Sequence, residues 1–254
     1  MKIRKKLFLV SVIILLLLSI VNQKNGLSEN QNENLSKNLD PIVVVNGNGG
    51  FTGSGFTGFG TESQPYILEN KVINGEFSHC IYISNTDAHF IIRNSIVYNG
   101  SHGVYLDNVT NGKFINVTSH GNPNSGILIY QNCENIQYIN STIYNNNANG
   151  FYLYGPFCEN CLIQNNIIYN NTKGIYVYQG ANFHNITDNT LYDHSQIGIF
   201  LHNVVNCTVT GNIAYDNDEG IATSNCDNTS IIDNFLHTNN DGIRLSGNSD
   251  NNNV

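Results

Sequence analysis

Side chains able to do chemistry fall in three places in this 254-residue chain. Asp193, Asp216, Asp218, Glu219 and Asp241 crowd its last third, and Asp193 and Asp216 are 23 residues apart in like surroundings. Carboxylates held that way can bind Ca²⁺ or share a proton for acid–base work. Solvated turn residues are the alternative. His79, Cys80 and His102 carry donors suited to copper or zinc. Cys133-Glu134-Asn135 and Cys158-Glu159-Asn160 repeat each other, as either a Cys133–Cys158 disulfide or a stack of free thiols. Cys158-x-x-Cys161 has the spacing of a redox motif but lacks a βαβ context.

What positions these residues is a repeat. Gly126-Ile127-Leu128-Ile129-Tyr130 returns as Gly150-Phe151-Tyr152-Leu153-Tyr154 and Gly174-Ile175-Tyr176-Val177-Tyr178. The phrase opens at Cys80, Gly103, Gly126, Gly150, Gly174, Gly198, Gly220 and Gly242, every 22–24 residues. A second phrase, Asn94-Ser95-Ile96-Val97-Tyr98-Asn99, recurs in step at Asn140, Asn165, Asn212 and Asn234. Short β-branched runs punctuated by Asn and Gly form strands rather than helices. A unit this small cannot close its own core; it must stack on copies of itself. The reading is an all-β parallel solenoid of about 8–9 coils, its rungs about 4.8 Å apart. Asn residues stacked in the turns then bond from rung to rung.

The G-I-x-L strand, the N-x-I-x-x-N turn and the period resemble the right-handed parallel β-helix repeat proteins. That superfamily includes pectate-lyase-like enzymes, CASH domains and NosD-type periplasmic proteins. Gly60-Thr61-Glu62-Ser63-Gln64-Pro65-Tyr66-Ile67-Leu68 is similar to the entry segment of NosD-like and microbial surface members. The resemblance covers about residues 60–250 and implies the fold. It leaves activity open, because this fold carries lyases, hydrolases, epimerases, binders and spacers.

Residues 1–21 join a basic start (Lys2, Arg4, Lys5, Lys6) to an apolar run from Leu7 to Val21. They read as a secretory signal or an uncleaved membrane anchor, placing the rest of the chain outside the cytoplasm. Residues 22–40 read as a flexible polar linker, and residues 41–64 as a cap strand with a glycine-rich loop. The coils follow over 65–254, and the stop at Val254 in mid-rung reads as a fragment or an end that pairs with something else. With 11 basic and 19 acidic residues the formal charge is −8. No basic stripe exists for nucleic acid or an anionic polysaccharide.

Alternation along each strand assigns the faces. Counting from the repeat glycine, positions +1 and +3 are apolar in every copy but for Thr223 and read as core. Position +2 then faces out: Tyr82, Tyr105, Leu128, Tyr152, Tyr176, Phe200, Ala222 and Arg244. Position +4 adds Tyr130, Tyr154, Tyr178 and His202. An outward aromatic surface two columns wide suits carbohydrate, each tyrosine offering a ring face and a hydroxyl. It also suits a surface protein, or simple reinforcement of the sheet. Three functions follow: a carbohydrate-binding scaffold, a polysaccharide-active enzyme using the acidic turn, and a structural surface repeat.

Overall fold

The computed structural model describes residues 39–76 and 78–254. The signal or anchor at 1–21 and the linker up to residue 38 lie outside the described residues. From Asp40 to Val254 the chain forms one compact unit, a right-handed parallel β-helix.

Each coil gives one strand to a nine-stranded parallel sheet that runs in chain order from Val43–Asn46 to Asp241–Ser246. The rest of each coil bends through a 14-stranded second sheet, mostly as pairs of three-residue strands. In the early coils the pair fuses into single nine-residue strands, Phe90–Tyr98 and Gly112–His120. Register follows the repeat: Ile127, Phe151, Ile175, Ile199, Ile221 and Ile243 lie above one another. Val43–Asn46 pairs in parallel with Ile81–Ser84. The glycine-rich segment after it is not all loop. It holds a 3-10 turn, Asn48–Phe51, whose buried Phe51 ring stacks on Tyr66 at 4.5 Å and meets Phe90 at 5.5 Å.

Positions +1 and +3 are the core as expected up to the coil of Gly220; Phe151, Leu153, Ile175, Val177, Ile199 and Leu201 are all fully buried, whereas Ile243 and Leu245 of the last strand are exposed. The repeat glycine is needed for space. A Cβ on Gly174 would collide with the Gly198 carbonyl oxygen and stand 2.7 Å from His194 Nε2. Corners turn through left-handed residues, and Asn fills most of them (Asn94, Asn140, Asn145, Asn165, Asn170) because it tolerates that conformation best among side-chain-bearing residues.

Asparagines ladder as expected, on the surface and inside. Asn170 Nδ2 donates to Asn145 Oδ1 at 2.7 Å on the outside. Inside, Asn166, Asn189, Asn212 and Asn234 form a chain in which each Nδ2 and backbone N–H donates to the next Oδ1 at 2.9–3.0 Å. A second inner ladder runs through Asn122, Asn146 and Asn171, then substitutes His194 before Asn217 and Asn239. These amides close hydrogen bonds that the corners would otherwise leave buried and unmade.

Candidate functional site

The aromatic surface forms where alternation places it. Tyr152, Tyr176 and Phe200 stack in one column at 5.1 Å, with planes within 7°. Tyr130, Tyr154, Tyr178 and His202 make the column beside it, at 4.9–5.6 Å. Side contacts join the columns, Tyr152 to Tyr154 and Tyr176 to Tyr178, both at 5.4 Å. The Tyr176 hydroxyl reaches His202 Nδ1 at 3.4 Å. Partial burial pushes the Tyr176 and Tyr105 phenols up to about 12, and that of Tyr152 up as well, so all stay protonated donors at neutral pH.

Two details differ from the sequence expectation. Leu128 and Ala222 hold outward positions yet are buried, each in register between larger side chains, Tyr105 and Tyr152 for Leu128 and Phe200 and Arg244 for Ala222. In the stacked column the tyrosines also spend their faces on one another. A ring stacked above and below turns its edge and hydroxyl to solvent rather than a flat face.

Further along the same sheet, Tyr82 and Tyr105 pair at 5.2 Å. His79 and His102 join them, with 5.4 Å between the imidazoles. Burial pushes His79 below its usual value and, with the His79 charge second, brings His102 down to about 4. Cys80 does not join this cluster: it is fully buried in the core, its thiol donating to the Tyr98 carbonyl at 3.3 Å. The expected His79–Cys80–His102 grouping is therefore split: the Cys80 thiol turns into the core while the imidazoles stay with Tyr82 and Tyr105. Among the described residues no three His, Cys, Asp or Glu side chains are placed to hold a metal ion, Ca²⁺ included.

Asp193, Asp216 and Asp218 lie on exposed corners, whereas Glu219 and Asp241 open strands of the first sheet in register, Glu219 half-buried and Asp241 exposed. Asp193 and Asp216 occupy left-handed turn positions that Asn fills elsewhere, with φ of 56° and 55°. Asp218 accepts from Asn240 at 2.7 Å, Glu219 pairs with Arg244 at 2.7 Å, and Asp241 is exposed. Each has a structural or solvated role.

Cys133 and Cys158 are in adjacent rungs but carry free thiols, as do all six cysteines. Side chains in register on parallel strands stand side by side rather than pointing at each other. The Cys158 sulfur turns instead toward the Ile129 carbonyl and the Cys161 thiol. That second neighbour and the His184 imidazole hold Cys161 well below the usual thiol range.

A column the face assignment did not include runs along the second sheet. Tyr98, His120, Tyr144, Tyr169, Tyr192, Tyr215 and His237 stack without a break, with centroids 4.8–5.3 Å apart and planes within 11°. Its signal was the aromatic residue inside the Asn phrase, fifth in the copies at Asn94, Asn140 and Asn165 (Tyr98, Tyr144, Tyr169) and fourth in those at Asn212 and Asn234 (Tyr215, His237).

A parallel β-helix bearing ordered aromatic columns outside and amide ladders inside defines a solenoid repeat protein. The family model described as "Periplasmic copper-binding protein (NosD)" matches residues 102–254, and the chain belongs to that family. No curated protein matches it. Among solved structures it is similar to the Azotobacter vinelandii mannuronan C-5 epimerase AlgE4 A-module: 20% identity, TM-score 0.60, covering 72% of this chain and 57% of that one. It is also similar to the periplasmic alginate epimerase AlgG (16%, TM-score 0.58, 72% and 50%). A third is tailspike protein 2 of Escherichia coli O157:H7 bacteriophage CAB120 (14%, TM-score 0.59, 82% and 33%). The chain thus spans about half or less of these molecules, and at such identities the likeness is one of fold.

Proposed function

We propose that this NosD-family solenoid works outside the cytoplasm as a carbohydrate-binding scaffold, with a glycan laid along the helix axis on the aromatic face. The observation that carries the reading is the joined pair of columns from Tyr130 to His202. They offer ring edges at every rung from Tyr130 to His202 and tyrosine hydroxyls at all but the last, a repeat suited to a polymer of hydroxylated rings. Proteins of the same fold include epimerases named for mannuronan and alginate, which supports a polysaccharide partner. The periplasmic setting named for the family agrees with the reading of residues 1–21.

Copper, named in the family's description, is not given a role. The His79–His102 pair lacks a third donor because Cys80 faces the core, so the donor set does not fit the ion. The enzyme alternative would draw on Asp193, Asp216 and Asp218 at exposed corners, or on Glu219 and Asp241, in register on the first sheet, where Glu219 is already bound to Arg244.

A glycan-array screen of the full chain tests this, with mass spectrometry of each hit after incubation. Retention of intact glycan supports a binder. Shortened or unsaturated products would replace it with an enzyme, and no retention would leave a structural repeat.

A further inference from the structure

We infer that the glycan on this face is cationic, a polymer of free amino sugars. This rests on the carbohydrate reading and adds the ligand's charge.

The first observation is the charge of the solenoid itself. Of the 19 acidic residues all but Glu29 and Glu33 lie from Asp40 onward, against Lys71, Arg93, Lys113, Lys173 and Arg244. Three of those cations are already paired, Lys71 with Asp40, Arg93 with Glu69 and Arg244 with Glu219. The surrounding field therefore favours a positive partner.

The second is where the acids stand relative to the rings. The corner that follows the Tyr130–Tyr154–Tyr178 column carries Glu134 and Glu159 on consecutive rungs, in register. Asn160 Nδ2 donates to Glu134 at 3.3 Å. Like charges opposed in this way repel, and an intervening ammonium relieves that repulsion.

The third is Phe157, immediately before Cys158 and Glu159. It is 69% exposed and adopts φ 59°, a backbone state that costs an L side chain roughly 1–2 kcal/mol. Unlike the stacked tyrosines it pairs with no aromatic ring among the described residues, and it precedes Glu159 by two residues in the chain. An aromatic face next to acids is the pairing that holds a ligand cation.

The fourth is that one ring of this face already receives an ammonium of the chain's own, which a ligand ammonium would displace. Lys173 Nζ stands 5.3 Å from the Tyr176 ring centroid. A free amino sugar combines the hydroxylated ring that the columns suit with the ammonium that the acids and Phe157 suit.

The test compares polyglucosamine oligomers with N-acetylated oligomers of equal length by calorimetry at pH 6, on the full chain, in low and high salt. The expected result is that the free-amine form binds at least about tenfold tighter, a difference near 1.4 kcal/mol, and weakens with salt. Glu134→Gln/Glu159→Gln and Phe157→Ala should each lose most of that preference without lowering the melting temperature, and Lys173→Met should tighten binding. Equal binding of both oligomers would overturn the inference and leave the carbohydrate reading standing. Binding of neither would overturn both. Capture of poly-lysine as tight as the oligomer would also overturn it, marking a cationic peptide or bare charge as what the face selects.

Discussion

Tyr152 and Tyr176 stack one rung apart, centroids 5.1 Å and planes 5° from parallel. The contact belongs both to the sheet's stability and to the surface a ligand meets, so the two roles must be separated by experiment. Each stacked pair contributes up to about 1 kcal/mol. Tyr176→Ala removes stacking to Tyr152 and Phe200 and should cost about 1–2 kcal/mol in urea unfolding, leaving the fold intact. A loss above about 4 kcal/mol would mean the column is core rather than surface.

The inner amide ladder should matter more than the outer one. Asn189→Ala removes the acceptor for the Asn166 backbone N–H and Nδ2 and the donor to the Ile163 carbonyl. Buried groups left unpaired cost about 1–3 kcal/mol each, so the loss should reach roughly 3–5 kcal/mol. Asn170→Gly breaks an exposed bond while keeping the left-handed corner accessible, and should cost under about 1 kcal/mol. Similar losses at both sites would contradict the ladder account.

Gly174→Ala tests the close approach of coils. Its new methyl would collide with the Gly198 carbonyl oxygen and His194 Nε2. The carbonyl belongs to the rung pairing and cannot swing away, so we expect a large drop in melting temperature or no folded protein. A variant that melts like the parent would show that the coils slide apart easily.

His194 gives the solenoid a pH dependence. Burial holds its pKa down to about 4, against the usual value near 6.5. Between those values the unfolded chain binds the proton and the folded chain does not, so stability rises with pH across that window. It should fall as pH drops from about 6.5 to about 4, by up to about 3 kcal/mol, and level off below. His102, also near 4, adds to the slope. His194→Asn restores an amide to the ladder and should flatten much of the curve. An unchanged slope in that variant would assign the pH dependence elsewhere.

The fold was legible because it is periodic. One phrase set strand, core face and corner in every coil, and stacking left no freedom to rearrange them. The surface was legible as far as alternation reaches, which placed Tyr82 to His202 outside. Alternation cannot report what happens between side chains in register: that Tyr152 and Tyr176 cover each other's faces, that Leu128 disappears under its neighbours, or that Cys133 and Cys158 stand parallel with free thiols. Adjacency alone does not show that the Cys80 thiol turns into the core while His79 and His102 stay beside Tyr82 and Tyr105. The Tyr98–His237 column was missed because the Asn phrase was read for its turns alone.

That column supplies the control for the central claim. Tyr152→Ala/Tyr176→Ala and Tyr144→Ala/Tyr169→Ala each remove two stacked tyrosines, from the first and second sheet respectively. The measurement is retention of the full chain on the glycans that hold the parent, at a temperature where both variants are folded. The account predicts that the first variant loses retention and the second keeps it. Equal retention by both, or loss in the second alone, would contradict it.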